Sequence, residues 1–236
     1  MRRLAYYFRL FKMRAMAKTS RVWMGWLAFS VTATFVFVCI YLPVSKRRNE
    51  VYLNEARSNM RSMSCAMGEF DSAYGAFPNA ETAKRVVELT ESELQVGAGS
   101  ANEIFRQLIA AEICPSETVF YAKIPGAHQP DHDLSPPDKA LAKGEVGFSY
   151  ILGQSSRCPA ETPLVITPLV PGTNRFDPKP FRGRALVMRV GSVKHGNIDV
   201  LPINPRGEVI DSSGKHLLAA GNPLWAGKAP FIVWPE

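Results

Sequence analysis

Residues 22–45 form 24 consecutive positions without a charged side chain, most of them large and apolar, set between two basic stretches. At about 1.5 Å of helical rise per residue, the roughly 20 apolar positions from Val22 to Leu42 match the ~30 Å hydrocarbon core of a bilayer. A cleaved export signal has a shorter apolar core, about 7–15 residues, and ends at a small-residue site. Phe37, Cys39 and Tyr41 offer no such exit before Pro43. A retained signal-anchor is the expectation, whether translation starts at Met1 or at an internal Met such as Met13 or Met16. Arg2, Arg3, Arg9, Lys12, Arg14, Lys18 and Arg21 precede the run with no acid among them, against Lys46, Arg47 and Arg48 after it. Cationic flanks stay on the cytoplasmic side. The amino terminus is thus expected in the cytoplasm and the remainder in the periplasm of a bacterium, anchored in the inner membrane.

The chain holds 28 basic and 21 acidic residues, a net charge of +7. Such a balance can signal nucleic-acid binding. Here residues 1–21 carry seven basic and no acidic groups, so residues 22–236 are formally neutral, with 21 of each. The excess belongs to the tail, where it suits topology and anionic lipid headgroups. Membrane lipid is an expected partner and nucleic acid is not.

Beyond the apolar run about 190 residues remain, enough for one domain with its own core. Cys114 and Cys158 both lie in that part. A disulfide between them and two buried free thiols fit the sequence equally.

Leu53, Ala56, Met60, Met63, Met67, Phe70 and Tyr74 recur at spacings of 3 and 4, with charged and polar residues mostly between them. That is one apolar face of an amphipathic helix, expected to pack on its own domain's sheet. Gly75 supplies a left-handed stop and Pro78 prevents continuation.

The segment from Ala56 to Met63, followed by Ala66, Met67, Phe70 and Tyr74-Gly75-Ala76-Phe77-Pro78, resembles the carboxyl half of the stem helix in type IV pilins and type II secretion pseudopilins. Pro43 stands where such stems often carry a kinking proline. Residues 168–181 and 185–193 resemble the β-rich carboxyl region of pseudopilin-like proteins. This resemblance implies an α+β fold in which one long transmembrane-plus-amphipathic stem helix packs on a mainly antiparallel head. It also implies self-association or other pilin-like subunits as partners. The chain departs from the family pattern in two places: the apolar run contains no Glu, and Arg21-Val22-Trp23 stands where a Gly-Phe cleavage junction belongs. The expected organisation is a basic tail at 1–21, a transmembrane segment at 22–45, a stem helix at 46–78 and a head at 79–236.

Within the head, Asn79 caps a helix to about residue 89, and Ser100 with Glu103 forms a capping-box pattern before a second. Strands are expected at 119–122, 146–152, 164–169, 185–190 and 197–203, with an exposed Pro-rich loop at 126–137. Trp225, Phe231 and Trp234 are expected to pack on the sheet.

Catalytic patterns are sparse. Gly147-Phe148-Ser149 lacks the second glycine of a nucleophile elbow. His195 and His216 have no triad partner that sequence identifies. His128 and His132, interleaved with Asp131 and Asp133, are candidate imidazole ligands for a divalent metal, although a solvated polar loop is the plainer reading. Asp211-Ser212-Ser213-Gly214 has too few carboxylates for a calcium loop. The expectation is a protein without catalytic residues, cofactor or metal. It would act as a membrane-anchored pilin-like structural or accessory subunit of a secretion or pilus-like apparatus. The alternative is an anchored periplasmic binding module that does not polymerise and uses the 125–145 loop.

Overall fold

The computed structural model describes residues 29–30, 32, 34–37 and 48–236. The expected basic tail and most of the expected transmembrane segment lie outside these residues. The chain divides into two compact units, 1–48 and 49–236. In the first, the described positions 29–30, 32 and 34–37 are helical and exposed.

The second unit opens on helix α1, residues 49–74. Leu53, Ala56, Met60, Met63, Met67, Phe70 and Tyr74 are all buried, while Glu69, Arg57 and Arg61 face water. The Gly75 amide closes the helix on the Asp71 carbonyl at 2.8 Å, and Gly75 takes φ +73°, a conformation that costs glycine little. Among the described residues no helix is long and apolar enough to cross a membrane. The expected single helix running from membrane span to stem is therefore corrected: the fold is α+β, and its first helix is amphipathic along its length, with charges on the face opposite the core.

Helix α2 (Ala80–Thr90) starts at a capping box in which the Asn79 side chain accepts from the Glu81 and Thr82 amides. Helix α3 (Ala101–Ala110) is capped by Ser100, whose hydroxyl accepts from the Glu103 amide. The expected reciprocal bond is displaced by one residue, because the Glu103 carboxylate takes the Gly99 amide at 2.8 Å. The expected strand at 119–122 is instead a 3-10 turn, Glu117–Phe120. Its amides bond locally, Val119 to Ser116 and Tyr121 to Thr118, and have no partner strand.

Five strands follow: β1 (Ser149–Leu152), β2 (Pro163–Thr167), β3 (Arg184–Arg189), β4 (Ile198–Pro202) and β5 (Phe231–Val233), with the four-residue α4 (Ser192–His195) between β3 and β4. They form one sheet in the order β4-β3-β2-β1-β5, antiparallel throughout. Alternation assigns its two faces. Leu186 and Met188 join α1 and α3 in one apolar cluster; Ala185 and Val187 join Phe176, Val209, Leu217 and Trp225 in a second. With both faces covered, β2 is buried at every position, which is why its sequence reads Leu-Val-Ile without polar interruption. β1 starts later than expected, since the Gly147 amide bonds the Phe120 carbonyl at 2.9 Å. Gly147 is also constrained sterically, because a Cβ there would stand 2.4 Å from the Ala122 nitrogen. Trp225 is buried, but Phe231 on the edge strand is 68% exposed, so the expected aromatic cover is incomplete. Its strand, β5, had no expectation.

Phe70→Ala removes a fully buried ring stacked on Tyr74 at 4.5 Å and should destabilise the unit by about 3–5 kcal/mol in urea unfolding, whereas exposed Glu69→Ala should stay within about 0.5 kcal/mol. Gly147→Ala should cost about 1–3 kcal/mol or more, since backbone at Ala122 must move.

Candidate functional site

Three acids converge where the Pro-rich loop returns to the sheet. Glu117 opens the 3-10 turn and Glu145 precedes β1, each 1% exposed, while exposed Asp131 reaches in from the loop. One carboxylate oxygen from each lies within 4.8 Å of those of the other two.

Main-chain amides orient the two glutamates. The Leu141 amide donates to Glu117 Oε1 at 2.6 Å. Those of Ala142 and Asp131 donate to Glu145 Oε2 at 2.7 Å and Oε1 at 2.9 Å. Glu117 Oε2 is buried without a hydrogen-bond partner. Neither glutamate forms an ion pair among the described residues. Desolvation pushes the Glu117 carboxyl above its ordinary value; the Leu141 amide opposes this, the Glu145 charge adds to it, and the His132 amide and Asp131 charge contribute less, in opposite senses.

The same segment is gripped from its other side by α3. Arg106, 3% exposed, donates Nε to the Ala140 carbonyl at 2.6 Å and its terminal nitrogens to the carbonyls of Gln95, Asp138 and Leu141. Asn102 donates to the carbonyls of Leu141 and Ala142. The peptide groups flanking Leu141 are thus held between a guanidinium and a carboxylate, which accounts for a buried leucine at φ +51°.

Neither histidine raised by the sequence belongs to the acidic group. His128 Nδ1 and Nε2 face the carbonyls of Gln129 at 3.1 Å and Lys143 at 3.0 Å. Two acceptors are satisfied together only by the doubly protonated ring, which leaves no lone pair for a metal. These two carbonyls raise the His128 pKa, helped by the nearby charges of Glu145 and Asp131. His132 is exposed at φ +65°. The candidate metal chemistry accordingly moves from imidazoles to carboxylates. Glu117 and Glu145 escaped sequence reasoning because they stand 28 residues apart with no ligand motif between them. Cys114 and Cys158 are free thiols; burial pushes the Cys114 thiol up, and Cys158 Sγ accepts the Ser155 amide. His216 bridges the Asn174 and Val209 carbonyls, and its ring contacts Phe176 edge-on.

Beside the base of the loop lies a cleft of about 270 Å³ walled by Ile124, Val146, Leu169, Pro171 and Trp234. No protein-family model matches the chain, and no curated protein or solved structure matches it significantly.

Arg106→Met takes the donor from the buried Ala140 carbonyl and the part-buried Gln95 and Asp138 carbonyls, while Asn102 still serves Leu141, and should destabilise the unit by roughly 3 kcal/mol, read from urea unfolding. The raised His128 pKa has a definite sign: its contribution is complete below the ordinary value of 6.5 and disappears as pH rises through the higher folded value. Amide exchange in the 128–144 loop should therefore be slower in the parent than in His128→Leu at mildly acidic pH, and the two should converge at alkaline pH.

Proposed function

We propose that this chain is a membrane-anchored, pilin- or pseudopilin-like structural or accessory subunit of a secretion or pilus-like apparatus, held in a bacterial inner membrane with its α+β unit in the periplasm. The observation that carries the reading is the order of elements along the chain. An uncharged apolar run flanked by basic residues leads, within a few positions, into an amphipathic helix whose Met- and Phe-rich stripe is buried against an antiparallel head. The run supplies retention in the bilayer, and α1 joins it to the head. Partner choice falls to the head's surface loops, with membrane lipid and other pilin-like subunits as the contacts implied. Gly25, Ala28, Ser30 and Ala33 are the small residues in the run through which spans lacking a Glu could associate.

A second reading, an anchored binding module that does not polymerise, is favoured by the apolar cleft at the base of the 125–145 loop. Deleting that loop would abolish ligand binding under the second reading and leave subunit association intact under the first.

The deciding measurement is the intact mass of the chain recovered from its host's membranes after alkaline carbonate extraction. We expect it in the membrane pellet at full length, because Arg21-Val22-Trp23 offers no Gly-Phe junction, which favours an accessory role. Loss of about the first 21 residues with a methylated new terminus would favour a processed filament subunit. Recovery in the soluble fraction would overturn anchorage.

A further inference from the structure

We propose that Glu117, Asp131 and Glu145 form a divalent-cation site that prefers Ca²⁺ to Mg²⁺ and fastens the Pro-rich loop to the 3-10 turn. The inference stands apart from membrane anchorage or pilus membership.

The first ground is the unbalanced burial of charge. Two glutamates are almost fully buried within reach of each other and of a third carboxylate, and none is ion-paired among the described residues. Carboxylates in such proximity are stable together only when a cation joins them or a proton is shared. Arg106 and, when protonated, His128 bring positive charge to the region, but every hydrogen bond of either side chain goes to a carbonyl, and the link from Arg106 to Glu117 runs through the main chain at Leu141. Together they balance at most two of the three acids.

The second ground is the state of Glu117. The Leu141 amide fixes one oxygen, while Oε2 remains buried with no partner in hydrogen-bond geometry among the described residues, the His132 amide lying near the carboxylate but outside that geometry. Buried polar atoms are nearly always satisfied, and an orphaned acceptor on an oriented carboxylate calls for a ligand. Glu145 is held by amides on both oxygens, yet each oxygen keeps a second lone pair directed elsewhere. Amide donors around a carboxylate are the outer-shell support that metal ligands commonly have.

Coordination chemistry selects the ion. Three oxygens no more than 4.8 Å apart share a centre no more than about 2.8 Å from each, a range that contains the ~2.3–2.6 Å bonds of Ca²⁺, whereas Mg²⁺ demands near-ideal octahedral geometry at ~2.0–2.1 Å and is usually held by one or two carboxylates with several waters rather than by three protein carboxylates. Ca²⁺ also accepts irregular coordination completed by water, which the exposed side of Asp131 admits. All three donors are hard oxygens, as Ca²⁺ prefers.

The ligands come from three segments, so one ion would close the 118–144 stretch at both ends and at its middle. Loop order would then follow Ca²⁺ concentration, and with it the walls of the neighbouring cleft at Gly126, Ala127 and Gly144.

The test is calorimetric titration of the full chain, stripped with EDTA and kept in a non-ionic detergent, with CaCl₂ and separately with MgCl₂, alongside thermal unfolding in each salt. We expect saturable binding of one Ca²⁺ per chain, Mg²⁺ weaker by about tenfold or more, and a Tm that rises with Ca²⁺. Asp131→Asn keeps an acceptor for the Asp133 amide, which Asp131 Oδ1 now takes at 2.8 Å. It should fold as the parent does in EDTA while losing about tenfold or more in Ca²⁺ affinity. Glu117→Gln keeps the Leu141 bond and should lose the Ca²⁺ response; should it fail to fold, Asp131→Asn decides. Absence of heat and of a Tm shift at millimolar Ca²⁺ would overturn the site and leave a proton-sharing pair. So would Ca²⁺ affinity unchanged in Asp131→Asn. Equal affinity for Mg²⁺ would overturn the assignment to Ca²⁺.

Discussion

Exclusion of water between the apolar stripe of α1 and one face of the antiparallel sheet is the contact on which the rest of this molecule depends. Met60, Met63, Met67 and Phe70 are fully buried in the same cluster as Leu164, Leu186 and Met188. Each large side chain so buried contributes about 1.5–3 kcal/mol. Methionine suits the position, since an unbranched thioether fills irregular gaps between a helix and a twisted sheet. Gly68 permits a close approach on the flank, where a Cβ would meet the Val193 carbonyl at 3.2 Å. Polar ties hold the register along the helix: Asn59 donates to the Tyr121 carbonyl, Arg61 to that of Gly196, and Arg184 pairs with Glu50 at 2.5 Å.

Once α1 covers one face, the sheet can carry strands that are apolar on both sides only if the other face is covered as well. Residues 204–225 do this with little regular structure, through Val209, Leu217, Leu218 and the 3-10 turn Pro223–Trp225. The Trp225 indole donates to the Leu217 carbonyl at 2.7 Å, so the largest ring in that layer is buried with its polar atom satisfied. The third consequence is the polar seam at 138–145. Wedged between α3 and the 3-10 turn, it cannot form ladder bonds, and side chains satisfy its main chain instead: Arg106 and Asn102 at the carbonyls, Glu117 and Glu145 at the amides.

Much of the fold could be read from local pattern. The buried stripe of α1, its Gly75 stop, the Asn79 cap and the β2, β3 and β4 segments follow from periodicity and end signals that act over a few residues. Errors appear where a distant partner decides. Residues 119–122 have strand-like composition, yet beyond the single Gly147–Phe120 bond no ladder forms with them, so they turn locally. β5 is three residues long and exists only because β1 offers an edge for Phe231, Ile232 and Val233. At the acidic site the loop histidines drew attention because they stand close together in sequence, whereas the glutamates that meet in space are separated by a chain reversal that spacing does not encode.

Composition and order alone decided that the chain has an uncharged run of bilayer length, a cationic beginning, an amphipathic helix and an antiparallel α+β domain, because hydropathy and short-range dihedral preferences are local properties. Tertiary structure alone decided that Arg106 would be buried among carbonyls, that the His128 ring would bridge two carbonyls, and that Glu117, Asp131 and Glu145 would meet. The physical reason is that the cost of a buried charge depends on what surrounds it after folding, and those surroundings come from segments that the sequence keeps far apart.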